Sequence, residues 1–258
     1  MRVVTLLQEK GGTGKTTLST HIAAGLAIRG ARVVLIDADP QGDASSALGF
    51  TPEGRLYDLL VRGASWKDVL KPVVTTVYTT EKPAGELLMV IGNVETRNIA
   101  NTIGDQWLFM RRIKQLEGVV DYVVIDTSPT PSLLHASMTV ATDYILVPTQ
   151  LEVASALRGV PNSLEHTGKV REAVAQHGVQ VADIAGIIPT MVQFNTTAHK
   201  ITYDHLVENY KDVVWTPQRK SIVYSEAAMS NQLMFAYSPL HTVCEDLWAV
   251  VDKVERLG

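Results

Sequence analysis

The feature that most constrains the fold of this chain is a glycine-rich loop at residues 9–17. It follows a short β-branched run at residues 3–7 and precedes residues 16–29, where apolar side chains recur at near-helical spacing. Gly30 ends that second segment, as glycine commonly ends helices. A strand, a glycine loop and a helix in this order predict the first unit of an α/β fold with a phosphate-binding turn.

Further apolar runs continue the pattern and lie at residues 32–36, 87–91, 119–125, 144–147, 184–188 and, more weakly, 213–215. Continuous apolar strands separated by helical segments are typical of a mostly parallel, twisted sheet with helices on both faces. Residues 51–86, rich in proline and glycine, are expected to form short helices and loops. No Ser/Gly-rich linker, repeat or charge block divides the chain, so the prediction is one α/β domain over residues 1–258.

Composition narrows the classes of function. The 258 residues are 46% hydrophobic and 19% charged, ordinary values for a globular protein, and carry a net charge of −4. That balance excludes a wholly basic nucleic-acid binder but not a local basic face. A single cysteine, Cys244, excludes a disulfide framework within the chain. No run approaches 18 apolar residues and the first residues run straight into the glycine loop, so we expect a cytoplasmic protein without stable membrane insertion.

The glycine loop has the residues that a nucleoside triphosphate with Mg²⁺ requires. Glycines let the backbone approach the phosphates, and the helix that begins near Lys15 adds its positive dipole end. Lys15 would reach the β- and γ-phosphates, and the Thr16 hydroxyl would ligate Mg²⁺. The residues expected to bind the nucleotide here are Lys10, Gly11, Gly12, Thr13, Gly14, Lys15, Thr16 and Thr17.

Three acids end predicted strands, where they would meet the loop at the carboxyl edge of the sheet. Asp37 could hold the water shell of Mg²⁺, and Asp39 could orient or deprotonate the attacking water. An Asx-type turn with Pro40 is the alternative for this pair. Asp126, after the apolar run ending at residue 125, could bond to a Mg²⁺-bound water or to Thr16.

Residues 9–16 resemble the deviant Walker A box of the ParA/MinD family of P-loop ATPases, with Lys10 as its signature lysine. Residues 37–41 are similar to the family's Asp-x-Asp-Pro-Gln segment, and residues 225–227 to its Ser-Glu-Ala signature. In that family two subunits sandwich two nucleotides, and the signature lysine contacts phosphates bound to the opposite subunit. The resemblance implies an ATP-dependent homodimer, with Lys10, Lys15 and Asp39 as the catalytic residues.

Residues 186–191 resemble the strand end near the nucleotide base in this family. The resemblance implies that Thr190 and Met191 form part of the adenine wall. A methionine packed in the core is the alternative interpretation of Met191.

The carboxyl-terminal segment distinguishes two branches of the family, because MinD-like members attach to membranes through a basic amphipathic helix. An apolar stripe at helical spacing comprises Leu240, Val243, Leu247, Val250, Val251, Val254 and Leu257. The polar face would carry four acids and two bases, a net charge of −2: Glu245, Asp246, Asp252, Lys253, Glu255 and Arg256. Anionic headgroups repel that balance, so we expect a helix packed on the sheet.

Arg219 and Lys220 lie just before the Ser-Glu-Ala signature, where ParA-like proteins place DNA-contacting arginines. Lys200 and Lys211 could join them in a patch that contacts phosphates independently of sequence. Each of the four is also an ordinary candidate for a solvated surface charge.

The resemblance therefore implies a partition ATPase that uses ATP and Mg²⁺. Its ATP dimer would coat nucleoid DNA, and a ParB-like or cargo-adaptor partner would trigger hydrolysis and release. Alternatives are the same motor positioning a protein cargo such as an organelle or chemosensory cluster, a MinD-like division-site regulator, and a nucleotide-binding adaptor without useful hydrolysis.

Overall fold

A computed structural model describes the secondary structure of the whole chain and the side chains of residues 1–152 and 158–258. Seven strands form one sheet: β1 (Arg2–Leu6), β2 (Arg32–Ala38), β3 (Leu70–Pro72), β4 (Glu86–Val90), β5 (Tyr122–Thr127), β6 (Tyr144–Gln150) and β7 (Ile184–Thr190). Their order across the sheet is β3-β4-β2-β5-β1-β6-β7, and every pair is parallel except β3 with β4. The predicted α/β class with a mostly parallel sheet is confirmed.

The helices connect these strands and cover both faces of the sheet. They are α1 (Lys15–Ile28), α2 (Asp43–Ala47), α3 (Arg55–Leu60), α4 (Trp66–Val69), α5 (Thr75–Tyr78), α6 (Thr96–Thr102), α7 (Leu108–Lys114), α8 (Leu133–Val140), α9 (Val153–Val174), α10 (Thr197–Tyr210), α11 (Val223–Met229), α12 (Met234–Tyr237) and α13 (Thr242–Glu255). Short 3₁₀ turns lie at Ala175–His177 and Lys211–Val213.

Alternation along the strands divides the core into two layers. In β1, Val4 faces a cluster built with α1 and α13, whereas Val3 faces a cluster built with α3, α7 and α8. Because successive side chains of a strand point to opposite faces, a strand covered on both sides must be apolar throughout. That is why the strands of this chain are continuous apolar runs rather than alternating ones.

Two expectations for the irregular parts of the chain need correction. Residues 213–215 do not form a strand: Val214 makes one isolated bridge to Ile187, while Trp215 turns its ring onto Gly186 and donates its indole N–H to the Ala185 carbonyl. Within residues 51–86, the expected helices and loops are accompanied by β3, an edge strand antiparallel to β4. Its proline lies at the sheet edge, where a missing N–H breaks no ladder.

The carboxyl-terminal helix packs inward as expected, with two departures. The apolar face of α13 is buried against α1, and a Cβ on Gly25 would come within 2.6 Å of Val251. The helix begins only at Thr242, so Leu240 lies outside it and is 97% exposed. The expectation that Asp246 belongs to the solvated face is wrong, because this residue is buried. Across the described residues, no helix is long and apolar enough to cross a bilayer.

Candidate functional site

The glycine loop joins β1 to α1 in a shape that needs its glycines. Gly12 and Gly14 have φ values of 72° and 90°, in the left-handed region that side-chain-bearing residues rarely adopt. Two side chains from neighbouring strands hold the loop: Gln150 Nε2 donates to the Gly12 carbonyl at 2.8 Å, and Thr190 Oγ1 donates to the Thr13 carbonyl at 2.9 Å. These contacts preorganise a backbone whose N–H groups can face an anion.

Lys15 is the buried cation of the loop. Its Nζ donates to the Gln8 carbonyl at 2.9 Å and to the Lys10 carbonyl at 3.3 Å. Burial lowers the pKa of Lys15, while the nearby carboxylates of Asp126 and Asp39 act in the opposite direction. The ammonium is thus held inside the loop with few competing water contacts, where it can bind a phosphate oxygen.

Thr16 and Asp126 meet at the start of α1. Thr16 Oγ1 donates to Asp126 Oδ2 at 2.8 Å, whereas the buried Oδ1 of Asp126 has no hydrogen-bond partner among the described residues. Burial, together with the adjacent carboxylate of Asp37, raises the pKa of Asp126 to about 8. A hydroxyl oxygen beside an unsatisfied carboxylate oxygen fits Mg²⁺, which takes hard oxygen ligands and would relieve the cost of burying that charge.

The described residues contain no cluster of three or more His, Cys, Asp or Glu side chains that could hold a metal ion by themselves. Mg²⁺ in phosphate-transfer sites commonly keeps waters and takes only one or two protein ligands, with the substrate's phosphates completing the shell. The donor set at Thr16 and Asp126 therefore fits a metal that arrives with its nucleotide.

Asp37 makes contacts that differ from the predicted role. Its Oδ2 accepts from the Ser45 backbone N–H at 2.8 Å and the Ser45 hydroxyl at 2.7 Å, and its Oδ1 accepts from the Asp39 N–H at 3.1 Å. Burial raises the pKa of Asp37 to about 6, although these hydrogen bonds act to lower it. These contacts fix the turn between β2 and α2, so Asp37 positions Asp39; a direct part in holding Mg²⁺ stays a prediction.

Asp39 forms the turn that was the alternative interpretation of this residue. Its Oδ1 accepts from the Gln41 N–H at 2.9 Å, which is the expected Asx turn. The same side chain also lines a cavity of about 290 Å³ beside Ser128 and Thr130, in the segment that follows β5. The turn limits how far the Asp39 side chain can move, and its action on the attacking water stays a prediction.

Lys10 lies at the exposed mouth of the loop. Its ammonium donates to Gln150 Oε1 at 3.2 Å and forms an ion pair with Glu152 at 3.2 Å, with both charged side chains well exposed. Exposed pairs of this kind are weak and easily exchanged for another partner. Lys10 and Lys15 thus lie in different environments, one partly exposed and one enclosed.

A second cavity, of about 230 Å³, lies beside Gly14 and contains both residues predicted for the adenine wall. Thr190 is buried, and its hydroxyl donates its hydrogen bond to the Thr13 carbonyl of the glycine loop. Met191 has φ 54° and is 38% exposed. Sequence reasoning missed the opposite side of this cavity, which is formed by Gln218, Arg219, Lys220, Ser221 and Tyr224. No local pattern marked these residues as nucleotide-binding.

The four basic residues predicted to contact DNA are not equivalent. Lys200 lies on α10, Lys211 just after it, and both are exposed, as is Lys220. Arg219 instead forms a two-pronged ion pair with Asp246, through Nε at 2.7 Å and Nη2 at 2.8 Å. Its guanidinium is therefore bound to Asp246, although the Arg219 side chain is itself partly exposed.

A preorganised glycine loop after the central strand β1, an enclosed lysine, a Thr16–Asp126 pair and a cavity beside the loop together define a P-loop nucleoside triphosphatase. The AAA domain family matches residues 1–180. The sporulation initiation inhibitor protein Soj of Bacillus subtilis is 29% identical over 242 residues, which is 92% of each chain. The chromosome partitioning protein ParA of Caulobacter vibrioides is 31% identical over 200 residues, 74% of this chain and 70% of that one.

Among solved structures, the ATP complex of a McdA variant from Cyanothece matches with a TM-score of 0.79 at 19% identity, covering 100% of this chain and 98% of that one. The likeness to this structure is one of fold, and it extends over the whole arrangement of strands and helices described above. The chain belongs to the ParA/MinD family of P-loop ATPases.

Proposed function

We propose that this chain is a Mg²⁺-dependent partition ATPase that dimerises on binding ATP. The ATP dimer binds DNA without sequence preference and associates with the nucleoid, and hydrolysis stimulated by a ParB-like partner releases it. Plasmid or chromosomal DNA would be segregated by this cycle. The proposal draws on the likeness to a chromosome partitioning protein and on the placement of Lys10.

The position of Lys10 is the observation that carries the proposal. Its ammonium reaches out of the loop to Gln150 and Glu152, at a surface that a second subunit could approach. Because the pair with Glu152 is exposed, exchanging it for the phosphates of a facing subunit would cost little. ATP would then be the link between two copies of the chain.

Hydrolysis in this proposal depends on positioning and electrostatic stabilisation. Lys15 binds the phosphate oxygens from inside the loop, and Asp39 orients the attacking water. Thr16 and Asp126 would hold Mg²⁺, which neutralises charge on the phosphates when bound. Asp37 keeps the Asp39 turn in place through the Asp39 N–H.

DNA binding would use exposed lysines, with Lys200, Lys211 and Lys220 as the candidates. Contacts to phosphates by such side chains are sequence-independent and weaken as salt rises. The net charge of −4 does not oppose this, since a local patch is sufficient.

The test is ATP hydrolysis together with DNA retention, measured with ATP, with ADP and without nucleotide. The wild-type chain should retain DNA only with ATP, and less as salt rises. Asp39→Ala should keep ATP-dependent retention and lose hydrolysis, because it removes the carboxylate proposed to orient the water and leaves Lys10, Lys15 and the glycine loop unchanged. Glu172→Ala, an exposed acid on α9, is the matched control and should behave as wild type.

Each other outcome counts against the proposal in a different way. Liposome binding with ATP and no DNA retention would move the chain to a membrane-associated division regulator. Absence of hydrolysis with or without DNA would indicate a nucleotide-binding adaptor. ATP-dependent dimerisation and hydrolysis without DNA retention would favour a motor that carries a protein cargo.

A further inference from the structure

The cavity beside Gly14 is walled by two segments that are paired with each other. The Gln218 N–H donates to the Pro189 carbonyl at 2.8 Å, and the Val192 N–H donates to the Gln218 carbonyl at 3.0 Å. The Lys220 N–H donates back to the Val192 carbonyl at 3.0 Å. The strand end that carries Thr190 is thus joined to residues 218–221, and the two walls must move together.

One residue of α13, Asp246, binds residues 218 and 219 of this paired structure. Asp246 Oδ2 accepts from the Arg219 backbone N–H at 3.1 Å and from its Nε at 2.7 Å, while Oδ1 accepts from Nη2 at 2.8 Å. The Asp246 carbonyl also accepts from Gln218 Nε2 at 2.9 Å. Four hydrogen bonds from two consecutive wall residues therefore end on a single residue 27 positions along the chain from Arg219.

The burial of this pair is unequal. The Asp246 side chain is 8% exposed, whereas that of Arg219 is 46% exposed. A buried carboxylate is stabilised only when its hydrogen-bond acceptors are filled, so Asp246 requires Arg219 in this orientation. Arg219 also lines the cavity. Orientation of the carboxylate and shape of the cavity wall are thereby coupled.

We propose that Asp246 is a positioning residue for the nucleotide base, acting through Arg219 and Gln218 to set the wall of the cavity beside Gly14. The inference rests on the proposed use of ATP and assigns Arg219 to nucleotide binding rather than to DNA. Among the described residues, the hydrogen bonds of Asp246 lead to Gln218 and Arg219 and not to the phosphate loop, Asp39 or Asp126. Loss of the Asp246 carboxylate should weaken the binding of ligands that carry a base and leave the binding of phosphates alone unchanged.

The experiment compares Asp246→Asn with Glu245→Gln, a neutralised acid at the adjacent, exposed position of α13. Calorimetry gives the Kd for ATP, ADP and tripolyphosphate, which has the phosphates but no base. Asp246→Asn should raise the Kd for ATP and ADP by about tenfold, as expected when a charge-assisted network is broken. Its Kd for tripolyphosphate and its kcat at saturating ATP should stay at wild-type values, as should every constant of Glu245→Gln.

Arg219→Gln removes the same ion pair from its exposed side and serves if Asp246→Asn fails to fold. It should show the same rise in KM for ATP, with DNA retention at saturating ATP equal to wild type. Asp246→Glu, which keeps the carboxylate, should recover part of the affinity. An unchanged Kd for ATP in both ion-pair variants would overturn the inference, as would equal weakening of ATP and tripolyphosphate.

Loss of DNA retention in Arg219→Gln at saturating ATP, with an unchanged Kd for ATP, would also overturn it and return Arg219 to the DNA-contacting residues. Failure of the proposed function is seen separately. A wild-type chain that binds ATP but never retains DNA would contradict the partition role and leave the role of Asp246 standing.

Discussion

The Thr16 hydroxyl donates to Asp126 across 2.8 Å, and this hydrogen bond joins the first turn of α1 to the carboxyl end of β5. On the adjacent strand Asp37 is the register partner of Asp126, so two buried carboxylates lie side by side beneath the glycine loop. Like charges in a buried site are costly, and a metal ion or a proton relieves that cost. The pair of carboxylates therefore favours the binding of a proton or a cation at this edge of the sheet.

A pH dependence of stability follows for the nucleotide-free chain. Burial raises the pKa of Asp126 from its ordinary value of 3.8 to about 8, so between these two pH values the folded state holds a proton that the unfolded state has released. Unfolding free energy then falls as pH rises through this window. Tm measured by scanning fluorimetry should decrease in the wild type and change less in Asp126→Asn, which should be the more stable of the two near pH 8.

Asp183→Asn, an exposed acid in an ion pair with Arg171, is the control for that measurement and should keep the wild-type slope. With Mg²⁺ and ATP present the wild-type decrease should be smaller, because metal binding favours the ionised carboxylate. Equal slopes for Asp126→Asn and wild type would show that another group is responsible.

Lys10→Ala should separate dimerisation from folding. The exposed pair with Glu152 contributes little to stability, so Tm without nucleotide should match wild type. Light scattering after size exclusion should show the wild type shifting to a dimer with ATP and Lys10→Ala remaining a monomer. Lys200→Ala, at an exposed lysine of α10, should dimerise normally, and dimerisation of Lys10→Ala would contradict the role proposed for Lys10.

His21 is a buried structural residue of α1. Its Nδ1 lies 2.6 Å from the Thr17 carbonyl and its Nε2 accepts the Met234 N–H at 3.0 Å, which fixes one neutral tautomer. Burial lowers the pKa of His21 to about 4. The stability that this histidine contributes is present above about pH 6.5 and is lost as pH falls towards 4.

His21→Ala should lower the unfolding free energy at pH 7 by about 1–3 kcal/mol, since it leaves the buried Met234 N–H without an acceptor. Urea denaturation measures this loss. His205→Ala, at an exposed position of α10, is the control and should be close to wild type. If His21→Ala and His205→Ala were equally stable, the hydrogen bond from the Met234 N–H to His21 would contribute nothing to the free energy of unfolding.

Two helix glycines should respond oppositely to alanine. A Cβ on Gly25 of α1 would lie 2.6 Å from Val251, so Gly25→Ala should destabilise by about 1–3 kcal/mol through overpacking against α13. Gly168 of α9 has no atom within 4 Å of such a Cβ, so Gly168→Ala should stabilise by about 0.5–1 kcal/mol through helix propensity. Urea denaturation of both variants gives the comparison. A loss of stability in Gly168→Ala would contradict the second expectation.

Local sequence patterns predicted much of the fold and of the phosphate loop, for a physical reason. The strand before the glycine loop, the helix after it and the acids at strand ends are features of adjacent residues, whose spacing reflects backbone conformation directly. Helix α1 was expected at residues 16–29 and spans Lys15–Ile28. Strand β3 was not expected, because three residues ending in proline have no periodicity from which to predict a strand.

The sequence by itself determined the phosphate loop, the parallel sheet and the family, since each depends on short segments with their own conformational preferences. Only the tertiary structure decided what the isolated polar side chains do. Gln150 reaches Gly12 from 138 residues away, and Asp246 binds Arg219 in the wall of the cavity beside Gly14. Buried polar groups must find partners wherever folding brings them, and that choice is not encoded in local spacing.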